Sequence, residues 1–293
     1  MPMRRGPGPR GSLVLSLPMS TPRPYELSAF LRGQFLILTA ILLTGLFGIP
    51  AFLTCLVDRS GRWSSFFQKL WVAWLMRANG IRIRLRGIEH VRPDESYILV
   101  SNHASILDIP AIIHSAPFPV RFMAKKSLTW FPVFGWYIYF SGHILVDRLS
   151  PPSALKSMRK AISLLRRGIS IIVFPEGTRT PDGEVKDFKR GAFLIAQHSK
   201  YPVLPVSISG SFEMLPRKGW CFWPGTIGVN IGEPIHSSDL RDNAKGLQER
   251  ARQIIVTNSR IGGEERPVTL PAQSDAAGEP VPNAPFPSSG GSQ

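Results

Sequence analysis

The chain predicts an α/β domain, with a mixed or largely parallel sheet flanked by helices, preceded by an N-terminal two-helix membrane anchor. Three observations carry this expectation. From Ile81 onward, short apolar runs of strand length alternate with helical stretches, the order that builds sheets through helical crossovers. Runs such as Tyr97-Ile98-Leu99-Val100 and Ser170-Ile171-Ile172-Val173-Phe174 carry no polar alternation in their centres, as expected of strands covered on both faces. Ahead of them, Phe35 to Val57 gives 23 residues without a charge.

Taken in order, residues 1–26 are rich in Pro, Gly and Arg and are expected to be disordered. A membrane anchor is expected over 27–79. Its first part, an apolar helix over 35–57, would be about 34 Å long, enough for a hydrocarbon core of about 30 Å. The run starts late, is too long for a leader's apolar core and lacks an A-x-A-like end, so it reads as an anchor and not a cleaved signal. Gly45, Gly48 and Pro50 admit either a span or a bent segment that enters and leaves one leaflet. The second part is an amphipathic helix over 62–78. Trp63, Phe66, Phe67, Leu70, Trp71, Trp74 and Leu75 fall on one helical stripe, with Ser64, Ser65, Gln68 and Lys69 off it. Three tryptophans on one stripe suit a half-wet membrane interface better than a dry core.

The main domain is expected over 80–262. Ile81-Arg82-Ile83-Arg84-Leu85-Arg86 alternates strictly, so it forms a strand with one apolar and one cationic face. Further strands are expected at 97–101, 120–124, 143–147, 170–174, 203–208 and 226–231, with helices at 106–115, 152–167, 190–199 and 243–257. Residues 263–293, dominated by Pro, Gly and Ser, read as a disordered tail.

The 293 residues carry a net charge of +15 and a pI near 10.5, which points to a phosphate-rich partner. Nucleic acid is set aside, because no recognisable binding module interleaves aromatic with basic residues. An anionic membrane surface or a phosphorylated substrate remains. Residues 1–34 hold five basic residues and residues 58–92 hold eight, a bias that places the following domain on the cytoplasmic face. Two cysteines, Cys55 and Cys221, make no disulfide framework.

His103 and Asp108 are the first chemical feature. Histidine can accept a proton at cellular pH without special tuning. Five residues apart, the two side chains lie about 140° apart on a helix and cannot share a face. They meet only if His103 sits on the loop leaving a strand and Asp108 begins the next helix. Tyr97–Val100 supplies the strand, and Ser105 is the expected N-cap ahead of Ile106.

Three further blocks follow: Gly142-His143-Ile144-Leu145-Val146-Asp147-Arg148, Phe174-Pro175-Glu176-Gly177-Thr178-Arg179, and Val203-Leu204-Pro205-Val206-Ser207. With Asn102-His103-x4-Asp108 first, this order resembles the glycerolipid acyltransferases, specifically the lysophosphatidate (1-acylglycerol-3-phosphate O-) acyltransferase class. The resemblance runs from about Ile81 to about Ile235 and takes in Phe188-Lys189-Arg190-Gly191-Ala192-Phe193 and Val229-Asn230-Ile231-Gly232-Glu233-Pro234-Ile235.

The resemblance implies an enzyme that moves an acyl chain from an acyl thioester, on coenzyme A or acyl carrier protein, to the hydroxyl of lysophosphatidate. It also implies a glycerolipid-acyltransferase-like fold behind a two-helix anchor. His103 is then the base for the attacking hydroxyl, and Asp108 orients it. The Glu176, Gly177, Thr178 and Arg179 block binds the acceptor's glycerol phosphate, with Gly177 a candidate oxyanion donor and Arg179 a planar fork for phosphate. Lys125, at a strand end, and Arg148 are further phosphate candidates. His90, His114, His143, His198 and His236 have no metal-ligand spacing and are expected to be structural or exposed. No zinc cluster, G-x-G-x-x-G or P-loop is present in the sequence, so neither a metal nor a cofactor is implied. The rivals are the same chemistry on another lyso-lipid, such as a lyso-ornithine lipid, and a non-enzymatic basic membrane-binding protein. A hydrolase is disfavoured, because G-x-S-x-G is absent.

Overall fold

The structure, a computed structural model, describes residues 26–58, 61–146, 151–217, 219–240 and 244–260. The segments expected to be disordered fall almost wholly outside these residues, as do Asp147 and Arg148.

Seven strands are described: β1 (Arg82–Arg86), β2 (Ile98–Ser101), β3 (Val120–Lys125), β4 (Ile144–Val146), β5 (Ser170–Val173), β6 (Val203–Ser209) and β7 (Thr226–Ile231). They form one sheet in the order β1-β7-β6-β2-β5-β3-β4. Every neighbouring pair is parallel except β6 and β7, which run antiparallel from Val206↔Ile231 to Ser209↔Gly228. The sheet is therefore mixed and largely parallel, as expected.

Strand alternation divides the core into two layers. Leu99, Ile172, Leu204 and Val206 face one cluster together with α3 (Arg62–Ala78) and α4 (Asp108–Ser115). Ile98, Val100, Ile171, Val173 and Val203 face the other, covered by α6 (Pro151–Arg166), α7 (Gly191–Ser199) and α9 (Ala244–Arg260), with the single-turn α8 (Ser211–Met214) between β6 and β7. With both faces covered, the central strands need apolar residues at successive positions, and the sequence shows just such runs.

The N-terminal region differs from expectation. The apolar helix begins at Leu27, eight residues before the uncharged run, and continues to Val57. It comprises α1 (Leu27–Leu43), one π-helical turn (Thr44–Gly48) and α2 (Ile49–Val57). Pro50 cannot donate to a carbonyl in the preceding turn, and the widened turn just before it absorbs the defect. This is the one described helix long and apolar enough to cross a membrane, and the amphipathic α3 packs on it. Trp71 Nε1 donates to Thr44 Oγ1 at 3.2 Å, and Asn79 Nδ2 donates to Thr39 Oγ1 at 3.0 Å. Near its start α1 touches the domain directly. Phe222 N–H donates to Ala29 O at 2.9 Å, and a Cβ on Gly33 would lie 1.7 Å from Trp220 O, so this approach requires glycine.

The polarity of α3 is partly reversed. Trp63, Phe66 and Trp74 are exposed as the stripe reading requires, but Leu75 is buried, and so are Ser64, Ser65 and Gln68 from the supposedly wet side. Arg121 of β3 is the cause. Its guanidinium is buried and donates to Ser65 Oγ, Ser64 Oγ and the carbonyls of Ser141 and Val120 at 2.7–3.1 Å. A buried cation needs donor-satisfying oxygens, and the serines of α3 supply them.

An element the sequence reading left unassigned is α5 (Phe134–Phe140). Its Phe-Gly-Trp-Tyr-Ile-Tyr-Phe composition favours strand. It is helical, and a tight turn precedes it at Val133, where φ is 60° and Phe134 N–H reaches back to Pro132 O at 2.6 Å.

Candidate active site

Because β2, β3, β5 and β6 are mutually parallel, the loops leaving them gather at one edge of the sheet, the carboxyl edge where α/β proteins place ligands. The loop after β2 carries His103, the loop after β5 carries Glu176 to Arg179, and Lys125 ends β3.

His103 and Asp108 meet. Nδ1 of His103 lies 2.8 Å from Oδ2 of Asp108, which is fully buried at the first turn of α4. The same carboxylate oxygen accepts the N–H groups of Ala104 and Ser105, each at 2.8 Å. A carboxylate only accepts, so the ring proton belongs on Nδ1 and the Nε2 lone pair is left for another partner. Phe174 stacks on the imidazole with centroids 4.0 Å apart, and 15% of the His103 side chain stays exposed. The helix starts at Asp108, two residues later than expected, and Ser105 is not its N-cap. Ser105 Oγ receives the N–H of Leu107 and donates to Leu215 O at 2.7 Å, tying the loop to the segment after β6.

The β5 loop clamps the His103 peptide from both sides. His103 N–H donates to Glu176 Oε1 at 3.0 Å, and Thr180 N–H donates to His103 O at 2.9 Å. Glu176 is only 6% exposed, so its carboxylate faces the β2 loop and not solvent. Burial pushes the Glu176 carboxyl up to about 7, against the N–H groups of His103 and Lys186, which pull it down. Beyond it, Lys186 and Thr180 hold the Asp182 carboxyl down at about 2 and keep the loop's far limb closed.

Gly177 has φ +77°, a conformation that favours glycine. Its N–H donates to Phe174 O at 3.0 Å within the turn and so is not available to an oxyanion. A Cβ at Gly177 would lie 2.9 Å from Nζ of Lys189, which places that ammonium directly against the loop. Thr178 is exposed and Arg179 half-buried. Arg217 Nη1 donates to Arg179 O at 3.0 Å, and no ion pair involves the Arg179 guanidinium among the described residues. Lys125 is exposed on the same edge but two strands from β2, about 10 Å across the sheet, and does not join the His103–Asp108 pair. Arg148 lies outside the described residues.

Sequence reasoning assigned no role to Asn102, Thr180, Lys189 or Arg217. Asn102 could have been suspected from its place beside His103. The others act through contacts across the sheet edge that leave no periodic trace. His143 is buried, accepts Phe122 N–H at 3.1 Å and is held well below the usual histidine range by burial, which fits a neutral structural role. Among the described residues no group of three or more His, Cys, Asp or Glu side chains could hold a metal ion.

This arrangement can take a proton from a hydroxyl at Nε2 of His103, with the cations Arg179 and Lys189 on or against the neighbouring β5 loop. Comparison with known proteins agrees with that chemistry. Residues 82–209 match the family model described as Acyltransferase. A 1-acyl-sn-glycerol-3-phosphate acyltransferase of Pseudomonas aeruginosa is 35% identical over 206 residues, covering 69% of this chain and 79% of that protein. One from Chlamydomonas reinhardtii is 29% identical over 250 residues, covering 82% of this chain and 73% of the relative. The alpha form from Ovis aries is 33% identical over 180 residues, covering 61% and 63% respectively, so the match spans a little under two thirds of that mammalian protein. The crystal structure of the 1-acyl-sn-glycerophosphate acyltransferase PlsC from Thermotoga maritima superposes with a TM-score of 0.68 at 28% identity, covering 80% of this chain and 94% of that one. With its histidine and aspartate on the carboxyl edge of such a sheet, the chain belongs to the acyltransferase family, in the 1-acylglycerol-3-phosphate O-acyltransferase class.

Proposed function

We propose that this protein transfers an acyl chain from an acyl thioester to the free hydroxyl of lysophosphatidate, giving phosphatidate for phospholipid synthesis. The names of its relatives support the acceptor and product. The single observation that carries the mechanism is the His103 Nδ1–Asp108 Oδ2 contact at 2.8 Å, beside a β5 loop that carries Arg179.

In this reading, Nε2 of His103 takes the proton from the acceptor hydroxyl as its oxygen attacks the thioester carbonyl. The C–O bond forms, a tetrahedral intermediate collapses, and the C–S bond breaks. The imidazolium returns its proton to the departing thiolate. Asp108 keeps the ring in the productive tautomer and stabilises the transient cation. No enzyme nucleophile is needed, because the acceptor alcohol attacks directly. Arg179 presents a planar fork to the acceptor phosphate, with Lys125 and Thr178 on the same edge as further phosphate partners; Arg148, outside the described residues, is a further phosphate candidate from the sequence alone. Glu176 acts indirectly, by fixing the His103 peptide. Gly177 shapes the turn and lets Lys189 approach.

The exposed apolar face of α1 and α2 and the basic surface around Arg82 and Arg84 seat the protein on an anionic membrane, with the site on the cytoplasmic side. Neither donor chemistry nor acceptor recognition calls on a cofactor, and no nucleic-acid partner is proposed.

Assay of the detergent-solubilised protein against a panel of lyso-lipids, with acyl-coenzyme A and acyl carrier protein as alternative donors, tests this reading. Lysophosphatidate should be the preferred acceptor, and phosphatidate the product. Preference for a lyso-lipid lacking the phosphomonoester, such as lyso-ornithine lipid, would overturn it.

A further inference from the structure

The segment between β3 and β4 carries apolar surface that the acyl-transfer chemistry does not use. Trp130 is 86% exposed, and Phe131, Trp136, Tyr139 and Phe140 are each at least half exposed. Five exposed aromatics within eleven residues are a contiguous patch of the kind soluble surfaces avoid. The patch is built rather than loose. Tyr137 and Ile138 point inward and are buried, Gly135 N–H donates to Phe131 O at 2.7 Å, and a Cβ on Gly135 would lie 2.4 Å from Thr129 O.

Its neighbours indicate what covers it. Phe52 of α2 packs against both Trp136 and Phe140, with ring centroids 6.2 and 5.2 Å apart. Leu53 and Leu56, beside Phe52 on the apolar helix, are themselves exposed. The aromatic patch is thus continuous with the exposed face of the one described helix that is long and apolar enough to cross a membrane. Exposed Lys125 and Lys126 immediately precede it. Tryptophan, tyrosine and flanking lysine are the side chains that settle at the boundary between headgroups and acyl chains.

We infer that residues 130–140 form a second lipid-docking surface, which seats in the interfacial layer of a bilayer beside α2. By fixing that element it sets the height at which Lys125 and the His103 edge meet the leaflet. The inference rests on the proposed reading of a membrane-resident acceptor.

The test uses the purified full-length protein and the combined substitution Trp130→Ser, Phe131→Ser, Tyr139→Ser, three side chains that face outward. Turnover is measured with a short-chain lysophosphatidate below its micelle-forming concentration and with a long-chain one embedded in anionic phospholipid vesicles. The variant should keep wild-type turnover on the monomeric acceptor, while its apparent KM for the vesicle-borne acceptor rises about tenfold or more. Separately, brominated phospholipid vesicles should quench the tryptophan fluorescence of the wild type, and Trp130→Phe should lose part of that quenching. Equal kinetics of variant and wild type on vesicles, with unchanged quenching in Trp130→Phe, would overturn the inference. A wild-type dimer that the triple substitution converts to a monomer would overturn it as well, assigning the patch to a second copy of the chain. If the wild type acylates neither acceptor, the functional reading fails by itself, and the quenching experiment still decides the docking surface.

Discussion

Asn102 binds Ile208 as one strand binds another: its Oδ1 accepts the Ile208 N–H at 2.8 Å, and its Nδ2 donates to Ile208 O at 2.9 Å. The side chain thus extends the β2–β6 ladder one position past the strand and fixes the residue before His103. Asn102→Ala should leave both groups of Ile208 unpaired in a buried place, at about 1–3 kcal/mol each. Thermal unfolding should show the loss, and turnover should fall with it because the His103 loop is released. Asn102→Asp should not rescue, since a carboxylate cannot donate to Ile208 O. Retention of wild-type stability by either variant would refute the account.

His103→Ala should cut turnover by about 10²–10⁴-fold while the protein remains folded. The loss is the stack on Phe174, while Asp108 still accepts the N–H groups of Ala104 and Ser105 and holds the loop. Asp108→Asn should also cost heavily, because an amide can donate to Nδ1 and favour the wrong tautomer. Steady-state kinetics on purified protein decide this. More than about a tenth of wild-type turnover in His103→Ala would remove it as the base.

Arg179→Lys keeps the charge and loses the fork. Acceptor binding should weaken by about 1.5–3 kcal/mol, roughly tenfold or more in KM, with the donor KM little changed. Titrating each substrate separately makes the distinction. A rise confined to the donor would move Arg179 to the thioester side.

Glu176 makes a pH-dependent prediction. Its folded value of about 7 lies above its ordinary value of 4.5, so the folded protein binds this proton more tightly than the unfolded chain. Below about 4.5 the group is protonated in both states and costs nothing. Between 4.5 and 7 the unfolded chain ionises first, and stability falls as pH rises. Glu176→Gln keeps an oxygen for the His103 N–H and removes the titration. The melting temperature of the Gln variant should therefore match wild type near pH 5 and exceed it near pH 8. A difference that stays constant across that range would contradict the buried carboxyl.

Arg121→Ala should be among the most damaging substitutions remote from the site. It takes the Arg121 donors from the hydroxyls of Ser64 and Ser65, of which Ser64 still donates to Gly61 O at 3.1 Å, and opens a cavity beneath α3, for about 2–5 kcal/mol. Denaturant unfolding in detergent measures it. A loss under about 1 kcal/mol would mean that α3 is held by its apolar contacts alone.

Local pattern was enough for much of this molecule. Apolar runs such as Ile98–Val100 and Ile171–Val173 announce buried parallel strands, because a strand covered on both faces tolerates few polar side chains. The spacing of His103 and Asp108 required a strand, a loop and a helix start, and that is how they meet. Arg179 was placed at a strand end on the same reasoning, and the composition of Leu27–Val57 marked an apolar helix, though not where it begins.

What the tertiary structure decided concerns residues whose partners are far away in sequence. Glu176 turns inward because the N–H of His103, 73 positions earlier, waits there. The serines of α3 are buried because Arg121 needs their oxygens, although periodicity set them off the apolar stripe. The Gly177 N–H is consumed by Phe174 O, and no composition rule could have said so. Periodicity reports which side of an element is apolar on average; only the assembled sheet edge determines which donor finds which acceptor, because a buried polar group is settled by the particular partner that reaches it.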